Sequence, residues 1–242
     1  MRYLQFALII LVCLALYACA GVDASVMDTA ETLGRGKFSV SNTFTMGINF
    51  PEWQAMDPED IYSSDSVHPM QYQELRVGIN PQMDISLRGG LHEDGQSAKL
   101  LLKKQIKKSE NTSSAIVFGG GYAKAEPRFW DTDEWDTAQN LAIKHYQVLS
   151  GDLALLFTRR VLGEHYLTLA ARSSYHRVSK DLKQGIGEDY DVYHAGIRAN
   201  AKYYMDSFYG MLELGIEAPL SIEGARQIYP WMGLRAGWDI DF

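Results

Sequence analysis

Taken in steps of two from its last residue, the chain reads Phe242, Ile240, Trp238, Ala236, Leu234 and Met232. The residues in between are Asp241, Asp239, Gly237, Arg235 and Gly233. A β-strand turns successive side chains to opposite faces. As a strand, this segment has one wholly apolar face and one face that is charged or minimal. The two faces need two different environments, and that requirement constrains everything upstream.

The opening residues form a targeting segment rather than part of the fold. Arg2 is followed by an apolar run, Phe6 to Leu16, that is too short to cross a bilayer as a helix. Residues 1–20 are assigned as a signal peptide. Leu16-Tyr17-Ala18-Cys19 matches a lipobox, which would make Cys19 a lipidation site, with Ala20 after it favouring outer-membrane sorting; Ala18-Cys19-Ala20 equally fits ordinary signal-peptidase cleavage. Residues 21–35 are expected to form a periplasmic amino-terminal segment and 36–242 the folded domain. The only other cysteine, Cys13, lies inside the signal, so no disulfide is predicted. Removing Arg2 leaves 22 basic against 30 acidic residues, a formal charge of −8 that argues against nucleic acid as a partner.

Alternation recurs along the mature chain, and no helical period competes with it. In Gly36 to Phe50, Phe38, Val40, Phe44, Met46, Ile48 and Phe50 oppose Lys37, Ser39, Ser41, Thr43, Thr45 and Asn49. Strands follow at Met70 to Asn80 and from Met83, joined by the turn signal Asn80-Pro81-Gln82. Ala98 to Ile106 is a fourth strand whose phase is ambiguous at Leu100-Leu101-Leu102. In the fifth, Ala115 to Ala123, Gly119-Gly120-Gly121 predicts a bend or bulge. A sixth lies between Leu141 and Arg160. Tyr166 to His176 and Asp191 to Tyr204 are separated by a charged loop, Arg177 to Asp189. Leu212, Leu214 and Ile216 against Glu213, Gly215 and Glu217 mark a ninth. The count is about ten, and the connections alternate between long and tight, as in an up-and-down barrel.

The predicted fold is all-β: a single antiparallel up-and-down transmembrane β-barrel of about ten strands. A secreted soluble barrel binding a small apolar ligand also alternates, with its apolar face inward. Mid-strand charges favour the inverted arrangement. Arg198 and Lys202, Glu213 and Glu217, and Arg235 and Asp239 lie on three successive strands, where they can offset one another as a lumen charge network. Tyr203, Tyr204, Phe208 and Tyr209 crowd one turn, as an aromatic girdle would. About ten strands enclose a narrow interior, so an occluded lumen or a narrow polar path is expected rather than a wide pore.

The export signal, Thr32-Leu33-Gly34-Arg35-Gly36-Lys37 ahead of the first strand, and the terminal Gly237-Trp238-Asp239-Ile240-Asp241-Phe242 resemble those of small bacterial outer-membrane β-barrel proteins, many of them uncharacterised. The resemblance implies residence in the outer membrane, contact with its lipids and lipopolysaccharide, and insertion by the barrel assembly machinery, with Trp238, Ile240 and Phe242 as the assembly signal. The resemblance is specific for location and fold; the residues themselves point to a structural, adhesive or narrow-channel role without evident catalysis, and to no cofactor or metal.

Some barrels of this size are omptin-type proteases that use paired aspartates and an Asp/His couple at the outer rim. Asp189, Asp191 and His194, and Asp131, Asp133 and Asp136, are the candidates for such water activation. Ser174 and His176 share a strand face, as a lipid-modifying hydrolase would require. Asp131 to Asp136 offers hard oxygens but lacks the glycine and distal glutamate of a calcium loop. Trp130 and Trp135 on the long acidic loop are candidate contact residues, or anchors at the membrane interface. Lys103, Lys104, Lys107 and Lys108 flank a predicted periplasmic turn, where they would meet anionic headgroups or water.

Overall fold

The computed structural model describes residues 26–48, 67–92, 95–125, 143–182, 185–220 and 228–240. They form ten strands: β1 (Phe38–Ile48), β2 (Val67–Asn80), β3 (Met83–His92), β4 (Gly95–Lys108), β5 (Thr112–Ala125), β6 (Ile143–Leu162), β7 (His165–Leu182), β8 (Gly185–Met205), β9 (Phe208–Pro219) and β10 (Tyr229–Ile240). Each strand pairs antiparallel with its neighbours in sequence, and β1 pairs with β10, so the sheet closes. Closure leaves no edge strand in the barrel wall, although the β7–β8 hairpin extends past the end of β9. The closing seam aligns Phe38 with Ile240 and Val40 with Trp238.

Four tight turns lie at the end where β1 begins and β10 finishes. Each has its own chemistry. At Pro81-Gln82 the Gln82 N–H donates to Asn80 Oδ1 at 2.8 Å, an Asx-type turn. At the β8–β9 turn Asp206 adopts φ 57°, and at the β6–β7 turn Gly163 adopts φ 56°. These are left-handed conformations that Gly and Asp accept more readily than most residues.

The alternation resolves as apolar outside and charged inside. Ile197 is 60% exposed on the outer wall, while its neighbour Arg198 is 0% exposed within. Leu212, Leu214 and Ile216 face out and Glu213 and Glu217 face in. On β10, Met232 and Leu234 face out while Trp231 and Arg235 are buried. An apolar wall around a charged interior is the inverse of a soluble barrel and is the surface that hydrocarbon solvates. Tyr193 and Tyr203, both exposed, bracket Ala195, Ile197, Ala199 and Ala201 on β8. The ten steps from Tyr193 to Tyr203 at about 3.3 Å each, tilted by about 40°, give a band roughly 25 Å tall, matching a bilayer core. The barrel spans a lipid bilayer.

Several local expectations are corrected. The glycine run in β5 is not a bulge: its ladder to β4 is unbroken, and the register shift falls at Gln105/Lys107. A methyl at Gly119 would come within 2.1 Å of the Leu100 carbonyl oxygen, so the run serves close backbone approach. The loop expected over Arg177 to Asp189 is largely strand, because β7 and β8 keep pairing out to Leu182 and Gly185. In the triple leucine, Leu101 points inward and Leu100 outward. Tyr209 does not join the girdle; it is buried, with its hydroxyl 3.2 Å from Ser39 Oγ. Lys103 is also buried in the interior, while Lys104, Lys107 and Lys108 remain exposed.

Candidate functional site

Residues 21–35 were expected to lie outside the barrel, yet residues 26–33 lie inside it. Their backbone has no strand partner, so each polar group must find a wall side chain. At the mouth beside the tight turns, Leu33 N–H donates to Asp84 (3.1 Å) and the Thr32 hydroxyl to the Pro81 carbonyl (2.8 Å). Lys108 Nζ reaches Glu31 Oε2 at 2.6 Å. Burial raises the Glu31 carboxyl, but hydrogen bonds from Lys108 and Ser113 outweigh it and hold the group below the usual range. Deeper in, Gln105 Nε2 donates to the Ala30 carbonyl (3.0 Å), and Ala30 N–H donates to Thr158 Oγ1 (2.7 Å), itself 2.7 Å from Thr168 Oγ1.

Asp28 is the electrostatic centre of the segment. Its Oδ1 lies 2.7 Å from Arg76 Nη1 and 3.1 Å from Lys103 Nζ. Asn200 Nδ2 donates to its carbonyl at 3.1 Å. Lys103 also donates to the Glu31 carbonyl (2.6 Å) and pairs with Asp84 (3.1 Å). At the innermost described point, the N–H groups of Val26 and Met27 converge on Glu213 Oε2, at 3.2 and 2.6 Å. Trp231 Nε1 donates to the other oxygen at 2.8 Å. Met27 holds φ 33°, a left-handed conformation that a non-glycine residue adopts at a cost. A methyl at Gly233 would meet Met27 Sδ at 3.0 Å, so the wall is bare where the segment bulges.

Apolar contacts complete the grip. Val26 and Ala30 pack with Leu101, Ala115, Val117, Ala154, Leu156 and Ala170. This small apolar patch faces into an otherwise charged lumen, opposite the apolar residues of the segment.

Above and beside the segment, the wall charges pair with one another. Glu74 accepts from Arg76 (2.6 Å), Arg88 (2.6 Å) and Arg235 (3.1 Å). Arg172 bridges Asp152 and Glu217, Arg198 also binds Glu217, and Lys99 lies 2.8 Å from Asp152. Lys202 lies 3.7 Å from Asp239 and over the rings of Tyr204 (4.4 Å) and Tyr209 (3.8 Å), a cation–π arrangement.

The six network residues named from sequence divide into three groups. Arg198 meets Glu217, with Glu213 at 3.8 Å. Lys202 and Asp239 form a separate pair. Arg235 turns across the closing seam to Thr43 and Glu74 rather than to its β9 neighbours. Sequence reasoning omitted Asp28, Glu74, Asp84, Lys99, Lys103, Asp152 and Trp231 from the network. In the structure the wall's described inward charges are Arg76, Arg88, Lys99, Lys103, Arg172, Arg198, Lys202 and Arg235 against Glu74, Asp84, Asp152, Glu213, Glu217 and Asp239. Asp28 supplies part of the missing negative charge.

The protease couple is not assembled from Asp191 and His194. Asp191 is on the outer face, bonded to the Tyr175 hydroxyl at 2.7 Å, and His194 is inside. Asp189 pairs with Arg177 at 3.0 Å on the exposed β7–β8 extension. Ser174 Oγ and His176 Nε2 are 3.0 Å apart, but both are enclosed in the lumen, 4% and 0% exposed. Trp238 packs edge-on to Phe208 at 4.8 Å, and Ile240 faces Phe38 across the seam. Cys19, Trp130, Asp131, Asp133, Trp135, Asp136 and Phe242 lie outside the described residues.

No family model matches this chain, and no curated protein matches its sequence. Among solved structures it is similar to the outer membrane protease OmpT from Escherichia coli, with 11% identity and a TM-score of 0.42, covering 88% of this chain and 100% of that one. It is also similar to Neisserial surface protein A, with 12% identity and a TM-score of 0.36, covering 86% and 99%. At these values neither structure bears on the activity of this chain.

Proposed function

We propose that the protein is a bacterial outer-membrane barrel held shut by its own amino-terminal segment. Its role is structural or adhesive, carried by the outer loops and walls rather than by open diffusion through the lumen. One observation carries this reading: residues 26–33 are bonded to wall residues from six strands, from Arg76 on β2 to Glu213 on β9. Planar-bilayer recording tests it. The full-length protein should insert without discrete conductance steps; steady steps from the wild type would refute the seal.

A narrow-channel reading applies if the segment withdraws. The vacated wall would carry eight cations against six carboxylates among the described residues. Such a path favours anions, and a reversal potential measured in a salt gradient would report it. Trp130 and Trp135 are proposed as outer-loop contacts, tested by loss of surface adhesion when both are changed to Ala. Membrane lipids, lipopolysaccharide and the assembly machinery are the proposed partners.

A further inference from the structure

The outer wall is not uniform. Across the periplasmic half of β5 to β9 runs a groove of about 790 Å³. It follows two adjacent rows of outward side chains, with the backbone of the intervening inward row as its floor. One lip carries Arg159, Leu167, Ala201 and Leu212, and the other Phe157, Leu169, Ala199 and Leu214. The two alanines keep the wall low on β8, between leucines on β7 and β9. Lys107 and Arg159 line the same groove at its β4–β6 end, with Thr112 and Ser114 between them.

Two neighbouring cations at this edge of the barrel are already engaged. Lys108 is engaged by Glu31, and Arg160 donates to the Tyr166 hydroxyl at 3.2 Å. Lys107 and Arg159 make no ion pair among the described residues. Arg159 stands four residues before the Gly163 turn, close to where headgroups begin. Two unneutralised cations beside two hydroxyls, opening onto an apolar trough, match one kind of molecule. The cations suit a phosphate, the hydroxyls suit its ester oxygens, and the trough suits an acyl chain.

We propose that this groove is a binding site for one anionic diacyl phospholipid of the periplasmic leaflet, with its phosphate on Lys107 and Arg159 and an acyl chain lying over Ala199 and Ala201. The site rests on the membrane reading and is independent of the sealed lumen. Each juxtamembrane cation contributes enough that the pair should favour an anionic over a zwitterionic headgroup by about 30-fold.

Native mass spectrometry of the full-length protein in detergent tests the site, using phosphatidylglycerol and phosphatidylcholine with identical acyl chains. The wild type should retain one phosphatidylglycerol with about 30-fold preference. Lys107→Gln with Arg159→Gln should abolish the preference while leaving residual binding. Ala201→Phe, which fills the trough, should weaken both lipids. Heat-modifiable migration in detergent gels reports whether each variant folds, so loss of the barrel and loss of the site are distinguishable. Equal retention of the two lipids by the wild type, unchanged preference in the charge variant, or dimers in place of bound lipid would overturn the proposal.

Discussion

Asp28→Ala is the sharpest probe of the lumen. The substitution removes the carboxylate shared by Arg76 at 2.7 Å and Lys103 at 3.1 Å, both buried. Removing one partner of a buried pair typically costs about 3–5 kcal/mol, because the remaining charge stays desolvated. Here both cations keep other partners: Glu74 for Arg76, and Asp84 with the Glu31 carbonyl for Lys103. The loss should therefore fall at the low end, about 3 kcal/mol. At roughly 2–4 °C per kcal/mol for a domain of this size, the thermal midpoint of the heat-modifiable transition should drop by about 6–12 °C. Asp28→Asn keeps an acceptor for Arg76 and should cost less. A double-mutant cycle with Arg76→Gln isolates the pair and should give a coupling of at least about 1 kcal/mol. An unchanged midpoint in Asp28→Ala, with zero coupling to Arg76, would refute the role given to Asp28.

Other substitutions test separate parts of the account. Leu156→Ala opens a cavity where Ala30 packs and should cost about 2–5 kcal/mol, read as a lower thermal midpoint. Gly78→Ala places a methyl 1.8 Å from the Gly34 carbonyl oxygen and should disrupt the turn joining the segment to β1, whereas Gly210→Ala meets nothing within 4 Å and should be nearly neutral by the same assay. Ile197→Arg, on the outer band, should cost about 2–4 kcal/mol of folding stability in lipid vesicles, and no loss there would contradict a lipid-facing wall. The depressed Glu31 carboxyl contributes stability that is present above its ordinary value of 4.5 and is lost as the pH falls through its lower folded value. The difference in thermal midpoint between wild type and Glu31→Gln should thus be full at pH 7 and vanish in acid.

What the sequence disclosed and what it hid have physical causes. Period-two alternation is local, so Leu212 to Glu217 and Met232 to Trp238 can be assigned to faces without knowing their partners. The approximate strand number follows from that pattern, and the inverted polarity from the full charges in mid-strand. The occupied lumen does not. Val26 to Leu33 adopts no regular secondary structure, and its backbone is satisfied by Glu213, Thr158, Lys103 and Gln105, residues remote in sequence. No periodicity announces such a segment. Likewise, pairing Arg235 with Glu74 requires β1 to have joined β10 and β2, whereas sequence proximity favours β9. The β7–β8 extension reads as a loop because its residues are charged, although Arg177 and Asp189 form an ion pair between adjacent strands of an exposed hairpin.

Single-cysteine labelling addresses the central claim most directly. In a Cys19→Ser background, Thr29→Cys and Leu169→Cys place thiols at positions 4% and 61% exposed, one inside the cylinder and one on its outer wall. In folded protein in vesicles, Cys at 169 should react with a lipid-soluble maleimide and resist a water-soluble one. Cys at 29 should resist both until the barrel unfolds. Rapid reaction of position 29 with the water-soluble reagent in the folded barrel would show that the segment is not held in the lumen.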